Sequence, residues 1–229
     1  MHDSAGDLAL LPLQELNTRA IARIDWADAL LRKQGIDVGE EAFRRREMSS
    51  RSRQRFDLLF DADDLFIAHL AATAPWVPII KHLLGVDFKC QVSVVYSRPG
   101  AEEQTWHADG PHISHTADWN GRGASAPYAL CVFLPLMDLD RTVGFTQFWP
   151  GSHKYDSLLG FGHACTLTES TLDGLVSLGH AVMYDYRTIH RGMPNTSKNT
   201  QRALLQFLYH VPSYAEARNY GTQSLLDVF

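Results

Sequence analysis

The sequence predicts a mainly β protein with flanking helices, and three observations carry that prediction. The second half of the chain breaks into short β-rich runs, CQVSVVYS, YALCVFLPL, FTQFW, HAVMYDY and RALLQFLYHV, each bounded by Gly, Pro, Asn or Asp. Short strands at that spacing indicate a sandwich or barrel. The first half repeats its apolar residues at threes and fours instead. Finally, 229 residues of which 45% are hydrophobic suffice for one sizeable core, so a single domain over 1–229 is expected.

Taken in order, Leu13, Leu16, Ala20, Ile24 and Ala27 begin a helical part that runs to about residue 85, with Leu65, Ile67 and Leu70 supplying a second apolar face. Within it Arg44, Arg45, Arg46, Arg51, Arg53 and Arg55 form a basic run beside Glu40, Glu41 and Glu47. A solvated helix face is the favoured reading of that run, and a grip on an anionic substrate is its rival. The β core is expected over about 86–215, with the helices packed on one outer face. No internal repeat is evident, and NGRGAS at 120–125 reads as a loop tip.

A formal charge of −5 gives no electrostatic footprint for nucleic acid, which ordinarily shows as clustered Lys and Arg on a basic domain. Cys90, Cys131 and Cys165 are widely spaced and lack a CxxC pattern, so they suit neither a disulfide framework nor a zinc knuckle. The opening MHDSAGDLALLPL is acidic where a signal peptide is basic, and no stretch approaches the ~20 apolar residues of a membrane helix. The expectation is a cytoplasmic protein that acts on a small molecule and engages neither nucleic acid nor membrane.

The chemistry concentrates in QTWHADGPH and YDYRTIHRGMPN. Residues two apart on an extended chain point to the same side, so His107 and Asp109 can face one ion. His190 lies where another predicted strand ends and is the candidate third ligand. Two imidazoles and one carboxylate on one face of an octahedron leave three positions open, the arrangement non-haem Fe(II) uses, whereas a structural zinc site is closed. Twelve residues on, Arg202 opens RALLQFLYHV, whose alternation puts Arg202, Leu204, Gln206 and Leu208 on one buried-looking face. A buried arginine needs a partner, and a guanidinium matches a carboxylate bidentately. That partner is either a protein Asp or Glu or the distal carboxylate of a bound 2-oxoglutarate.

QTWHADGPH, GFTQFWPGSHK, and DYRTIHRGMPN followed by RALLQF resemble, in that order, the phytanoyl-CoA dioxygenase family of Fe(II)/2-oxoglutarate oxygenases. The resemblance covers about residues 50–215, including RQRFDLLF and VVYSRPGAEEQ. It implies a double-stranded β-helix, or jelly roll of the cupin kind, with iron between the two sheets. It further implies that His107, Asp109 and His190 hold Fe(II), that Arg202 binds 2-oxoglutarate, and that dioxygen is the second co-substrate. By likeness to the fungal meroterpenoid oxygenases of the same superfamily, Gln104 and Thr146 hydrogen-bond 2-oxoglutarate. Two departures stand out: Gly179-His180 where the family often has Gly-Asp, and Val143-Gly144-Phe145 where it has NGP. Related halogenases replace the ligand carboxylate with a small residue, so an intact Asp109 implies oxygen transfer or desaturation, with hydroxylation foremost. The alternative is a cupin-like metal protein, hydrolase, isomerase or binder, that does not use 2-oxoglutarate.

Other residues near these motifs are expected to play lesser parts. His112 and His115 follow a Gly110-Pro111 turn that carries them away from the ion. His153 is expected to orient the PGSHK loop through hydrogen bonds. Trp106, Trp119, Trp149 and Tyr96 suit a pocket wall and a barrel core equally well. The segment from His115 to Ala126 reads as either a lid or an exposed loop.

Overall fold

The computed structural model describes residues 12–36, 43–112, 126–216 and 219–227. Helix α1 (Leu13–Lys33) leads to strands β1 (Met48–Ser52) and β2 (Arg55–Leu59), helices α2 (Leu65–Thr73) and α3 (Val77–Leu84), and strand β3 (Lys89–Ser97). Then come β4 (Ala129–Pro135), β5 (Thr146–Phe148), helix α4 (Gly162–Leu167), β6 (Leu172–Gly174), β7 (Val182–Asp185), β8 (His190–Gly192) and β9 (Arg202–His210).

These strands form a six-stranded sheet in the order β1-β2-β3-β9-β4-β7 and a three-stranded sheet in the order β6-β5-β8. Neighbours pair antiparallel in both sheets. This is the expected jelly roll. β9 is its spine, buried along its whole length between β3 and β4. The period-2 pleat sends Arg202, Leu204 and Gln206 toward the small sheet, and Leu205, Phe207 and Tyr209 toward the helices. Phe148 of β5 meets Tyr184 of β7 at 5.0 Å between ring centroids, closing the space between the sheets.

The helices cover the outer face of the large sheet. α1 buries Leu16, Ala20, Ile24, Ala27 and Leu31, a stripe at threes and fours that follows the 3.6-residue period. The Asp64 side chain accepts from the backbone N–H groups of Phe66 and Ile67 and so caps α2. Trp76 Nε1 donates to the Tyr209 hydroxyl at 2.9 Å, which donates to the Ala71 carbonyl at 2.9 Å, tying α2 and β9 together across the packed face. Among the described residues no helix is long and apolar enough to cross a membrane.

The helical pattern expected over 13–85 is interrupted by the β1–β2 hairpin, and the basic run around it is not a solvated helix face. On β2 the apolar Phe56 and Leu58 face the helices while Arg55 and Asp57 face the small sheet, and all four are buried. Register shifts between Ser50 and Ser52 on β1. The bulge re-aims the strand there, as bulges beside functional sites do. Arg51 and Arg55 consequently point inward.

Candidate active site

A bridge between His107 and His190 adds one more segment to the edge of the small sheet. Backbone N–H groups of His107 and His190 donate to each other's carbonyls at 2.9 and 2.8 Å, and Gln104 N donates to Gly192 O at 2.9 Å. The two histidines are thereby cross-strand neighbours, their ring centroids 4.6 Å apart. Asp109, two residues beyond His107, faces both: its oxygens lie 3.7 Å from His107 Nε2 and 3.5 Å from His190 Nε2. One donor atom from each of the three residues falls within 4.8 Å of the others. β8 begins at His190, so the third residue opens a strand where the sequence suggested a strand end.

The orientation of each imidazole is set by the backbone. His107 Nδ1 lies 2.8 Å from Thr105 O and His190 Nδ1 lies 2.9 Å from Thr188 O. A carbonyl can only accept, so each Nδ1 carries the hydrogen and each Nε2 turns a lone pair toward Asp109. Burial lowers His190 to about 4, with His107 and Arg51 acting in the same direction and Asp109 against it. His190 is a neutral imidazole at ordinary pH, the form that binds a metal.

Deeper between the sheets, the cavity beneath these three residues is walled by Gln104, Thr146, Arg55 and Arg202. Arg202 is 1% exposed, and its Nε and Nη1 have no hydrogen-bond partner among the described residues. Burial lowers it to about 10. Of the two partners weighed for it, no carboxylate among the described residues is in place. Arg55, 2% exposed, shares the cavity and is held by donation from Nη2 to Glu102 O at 3.1 Å and Met193 O at 2.9 Å. Burial, then the neighbouring Arg202 charge, push it well below the usual guanidinium value. Gln104 Oε1 accepts from Gly192 N at 3.0 Å. A Cβ on Gly192 would come within 2.3 Å of Arg55 Nη1 and 2.5 Å of Gln104 Oε1, so a larger residue there would push the ends of both side chains aside.

Arg51, which also lines this cavity, links several acceptors. It donates to Asp57 Oδ2 at 2.6 Å, Asn219 Oδ1 at 2.7 Å and Asp109 Oδ1 at 3.4 Å. Burial alone would lower Arg51, but Asp57 and Asp109 outweigh it and raise the guanidinium well above its ordinary value. Tyr220 donates its hydroxyl to Asp57 Oδ1 at 2.8 Å, so residues beyond β9 complete the network. Arg51 and Arg55 were missed as site residues because their four-residue spacing beside glutamates resembles a helix surface. The available signal was the alternation of RFDLL, charged against apolar.

The remaining expectations divide. His112 stands outside the triad, while His115, Trp119, the 120–125 loop tip and the bulk of the proposed lid lie outside the described residues. The PGSHK loop is tied down by Ser152 in place of His153: its hydroxyl donates to Trp149 O at 2.7 Å and accepts from Ile189 N at 2.8 Å. Tyr96 belongs to the core, stacked near Phe56 at 5.0 Å, and Trp106 packs under Arg191 at 4.7 Å, away from the cavity. Gly144, where the family has a different tripeptide, has φ +86°, and a Cβ there would meet Pro194 O at 2.5 Å. Cys90, Cys131 and Cys165 are free thiols.

Several solved structures share this fold. AviO1 from Streptomyces viridochromogenes Tue57 aligns with a TM-score of 0.60 at 18% identity, covering 91% of this chain and 89% of that one. The non-heme alpha ketoglutarate dependent epimerase SnoN from nogalamycin biosynthesis gives 0.56 at 16% identity, with 89% and 83% covered. HygX from Streptomyces hygroscopicus, solved with nickel and 2-oxoglutarate bound, gives 0.54 at 13% identity, with 75% and 78% covered. Identities this low speak for the architecture only. The family assignment comes from the sequence itself: the phytanoyl-CoA dioxygenase (PhyH) model matches residues 20–203, most of the chain, and the protein therefore belongs to that family of Fe(II)- and 2-oxoglutarate-dependent oxygenases.

Proposed function

We propose that this chain oxidises an unactivated C–H bond of a small-molecule metabolite, by hydroxylation, with 2-oxoglutarate and dioxygen as co-substrates. One observation carries the reading: a two-histidine, one-carboxylate cluster shares its cavity with a buried arginine whose Nε and Nη1 have no partner, and which pairs with no carboxylate, among the described residues. An unpaired interior charge costs several kcal/mol or more. A dicarboxylate bound below a metal ion satisfies both features at once.

The residues present fit those groups. His107 and His190 would hold Fe(II) through their Nε2 lone pairs and Asp109 through a carboxylate oxygen, leaving one face of the coordination sphere open. Arg202, with Arg55 beside it, would neutralise the distal carboxylate of 2-oxoglutarate. Gln104 and Thr146 would orient the co-substrate by hydrogen bonds. Bound iron supplies the means of activating dioxygen; the protein's part is orientation, charge and exclusion of water. Overall, dioxygen accepts four electrons, two from 2-oxoglutarate as it becomes succinate and carbon dioxide and two from the substrate C–H bond as it becomes an alcohol. One oxygen atom goes into succinate and the other into the alcohol. The intact Asp109 favours this oxygen transfer over halogenation, and the three free thiols favour a reducing, cytoplasmic setting.

The test is an anaerobic titration of Fe(II)-loaded protein with 2-oxoglutarate, followed by admission of oxygen. A visible charge-transfer band and release of succinate are expected, and His190→Ala should lose iron on dialysis. Metal-loaded protein that forms no band and releases no succinate would return the chain to the cupin-like, 2-oxoglutarate-independent alternative.

A further inference from the structure

A second cleft, of ≈ 390 Å³, opens on the outer side of His107 and Asp109. Small-molecule sites of about 300–1,000 Å³ are ordinarily walled by apolar and aromatic side chains with a few directed polar groups. Here the proportion is reversed. Among the described residues Ala108 is the single apolar side chain on the wall; the rest are hydroxyls, amides, charged groups and two members of the triad, His107 and Asp109.

The charges on that wall are engaged within the protein. Arg51 lies between Asp57 and Asp109, Glu103 accepts from Arg191 Nη1 at 3.3 Å, and Arg44 has a partner of its own. What the cleft offers a ligand is therefore neutral hydrogen bonding. Ser49 pairs with Asp57 and Ser52 with Arg55 across the β1–β2 ladder, so both serines share the strand face that carries the site. The Oγ atoms of both are buried and lack a hydrogen-bond partner among the described residues, and Ser49 is 1% exposed. A buried hydroxyl left unpaired costs about 1–3 kcal/mol. Two such hydroxyls on one wall, beside Thr105, mark a surface shaped for a partner with matching groups.

Resting on the oxygenase reading above, we infer that the primary substrate is a neutral, hydroxyl-rich small molecule, a polyol or glycoside, bound in this cleft by Ser49, Ser52 and Thr105. A fatty acyl chain finds no apolar channel on this wall, and the phosphates of a CoA ester find no uncommitted cation. The cleft and the cavity that holds Arg202 share Arg51, Gln104, His107 and Asp109, while Arg55 and Arg202 line the cavity alone, so substrate and 2-oxoglutarate would occupy adjoining spaces that meet at the triad.

The experiment uses anaerobic protein loaded with Fe(II) and 2-oxoglutarate, whose charge-transfer band responds when a molecule settles beside the metal. It is titrated with myo-inositol, methyl glucosides and trehalose, and separately with palmitate and palmitoyl-CoA. Hydroxylated probes should shift the band saturably and the acyl probes should not. Ser49→Ala should raise the half-saturation of the responsive probe about five- to tenfold, as expected for one hydrogen bond, and Ser49→Thr should restore most of it. A response to palmitate or palmitoyl-CoA, silence toward every hydroxylated probe, or an unchanged half-saturation in both Ser49→Ala and Ser52→Ala overturns the inference. Loss of the 2-oxoglutarate band in the wild-type protein sinks the oxygenase reading as well; a normal band with no polyol response sinks the substrate class alone.

Discussion

Two arginine sites adjoin the metal triad within one cavity, and they are built in opposite ways. Arg51 is closed within the protein: Asp57, Asp109 and Asn219 accept from it, and its charge is stabilised. Arg202 and Arg55 sit together with no carboxylate partner among the described residues, each destabilised by burial and Arg55 further by its neighbour. The first arrangement holds a ligand residue in place. The second is incomplete without an anion. Fold stability and co-substrate binding should consequently respond in opposite senses to the same kind of substitution at the two sites.

The largest effect expected is on co-substrate affinity. Arg202→Leu should weaken 2-oxoglutarate by about a hundredfold or more while iron is retained, because a buried charge-assisted pair is worth about 2–5 kcal/mol when one partner is removed. Titration of the charge-transfer band measures it, and equal affinity in variant and wild type would remove Arg202 from the site. Next comes stability at Arg51. Arg51→Leu strands Asp57 as a buried carboxylate beside Asp109 and should cost about 3–5 kcal/mol in urea unfolding. It should also loosen iron about 10- to 100-fold, since Asp109 loses its outer partner.

Arg202→Leu should do the reverse to ligand-free protein, raising its stability by about 1–4 kcal/mol, because an apolar side chain replaces an unpaired interior charge. A ligand-free variant less stable than wild type would break the comparison. The pH dependence sharpens it. Burial lowers folded Arg202 to about 10 while the unfolded group keeps its higher ordinary value, so the penalty is fully present below 10. Above that pH the unfolded chain binds more protons than the folded one, and wild-type stability gains on the variant. The stability difference between Arg202→Leu and wild type should shrink as pH rises past 10. The smallest effect is at Gly192. Gly192→Ala pushes on the ends of Arg55 and Gln104 and should lower 2-oxoglutarate affinity about tenfold with iron content unchanged.

The β half was legible because its alternation is local: each of the buried strands β3, β4 and β9 lies inside a run recognisable from residue types alone. The first hairpin was not, since MSSRSRQRFDLL mixes charges into a strand, and besides the local Arg51–Asp57 pair those charges are held by Asp109, Asn219, Glu102 and Met193, which arrive from far along the chain. The same difficulty hid Arg55 from a reading that had found Arg202. Ser152, doing the work expected of His153, was hidden for a smaller reason: its two bonds reach Trp149 and Ile189, and only one of those residues is near in sequence.

The sequence by itself determined the fold class and the family, because strand period and motif order are written in neighbouring residues; it also nominated His107, Asp109, His190 and Arg202, and through the family resemblance Gln104 and Thr146, as site residues. Only the tertiary structure decided how those residues are partnered. That Arg202 has no carboxylate partner among the described residues, that Arg51 has two, and that Ser49 and Ser52 wall a polar cleft all depend on pairings between β1, β2 and segments more than fifty residues away in several cases. Burial makes those pairings decisive, because a charge or hydroxyl removed from water must find its partner in three dimensions.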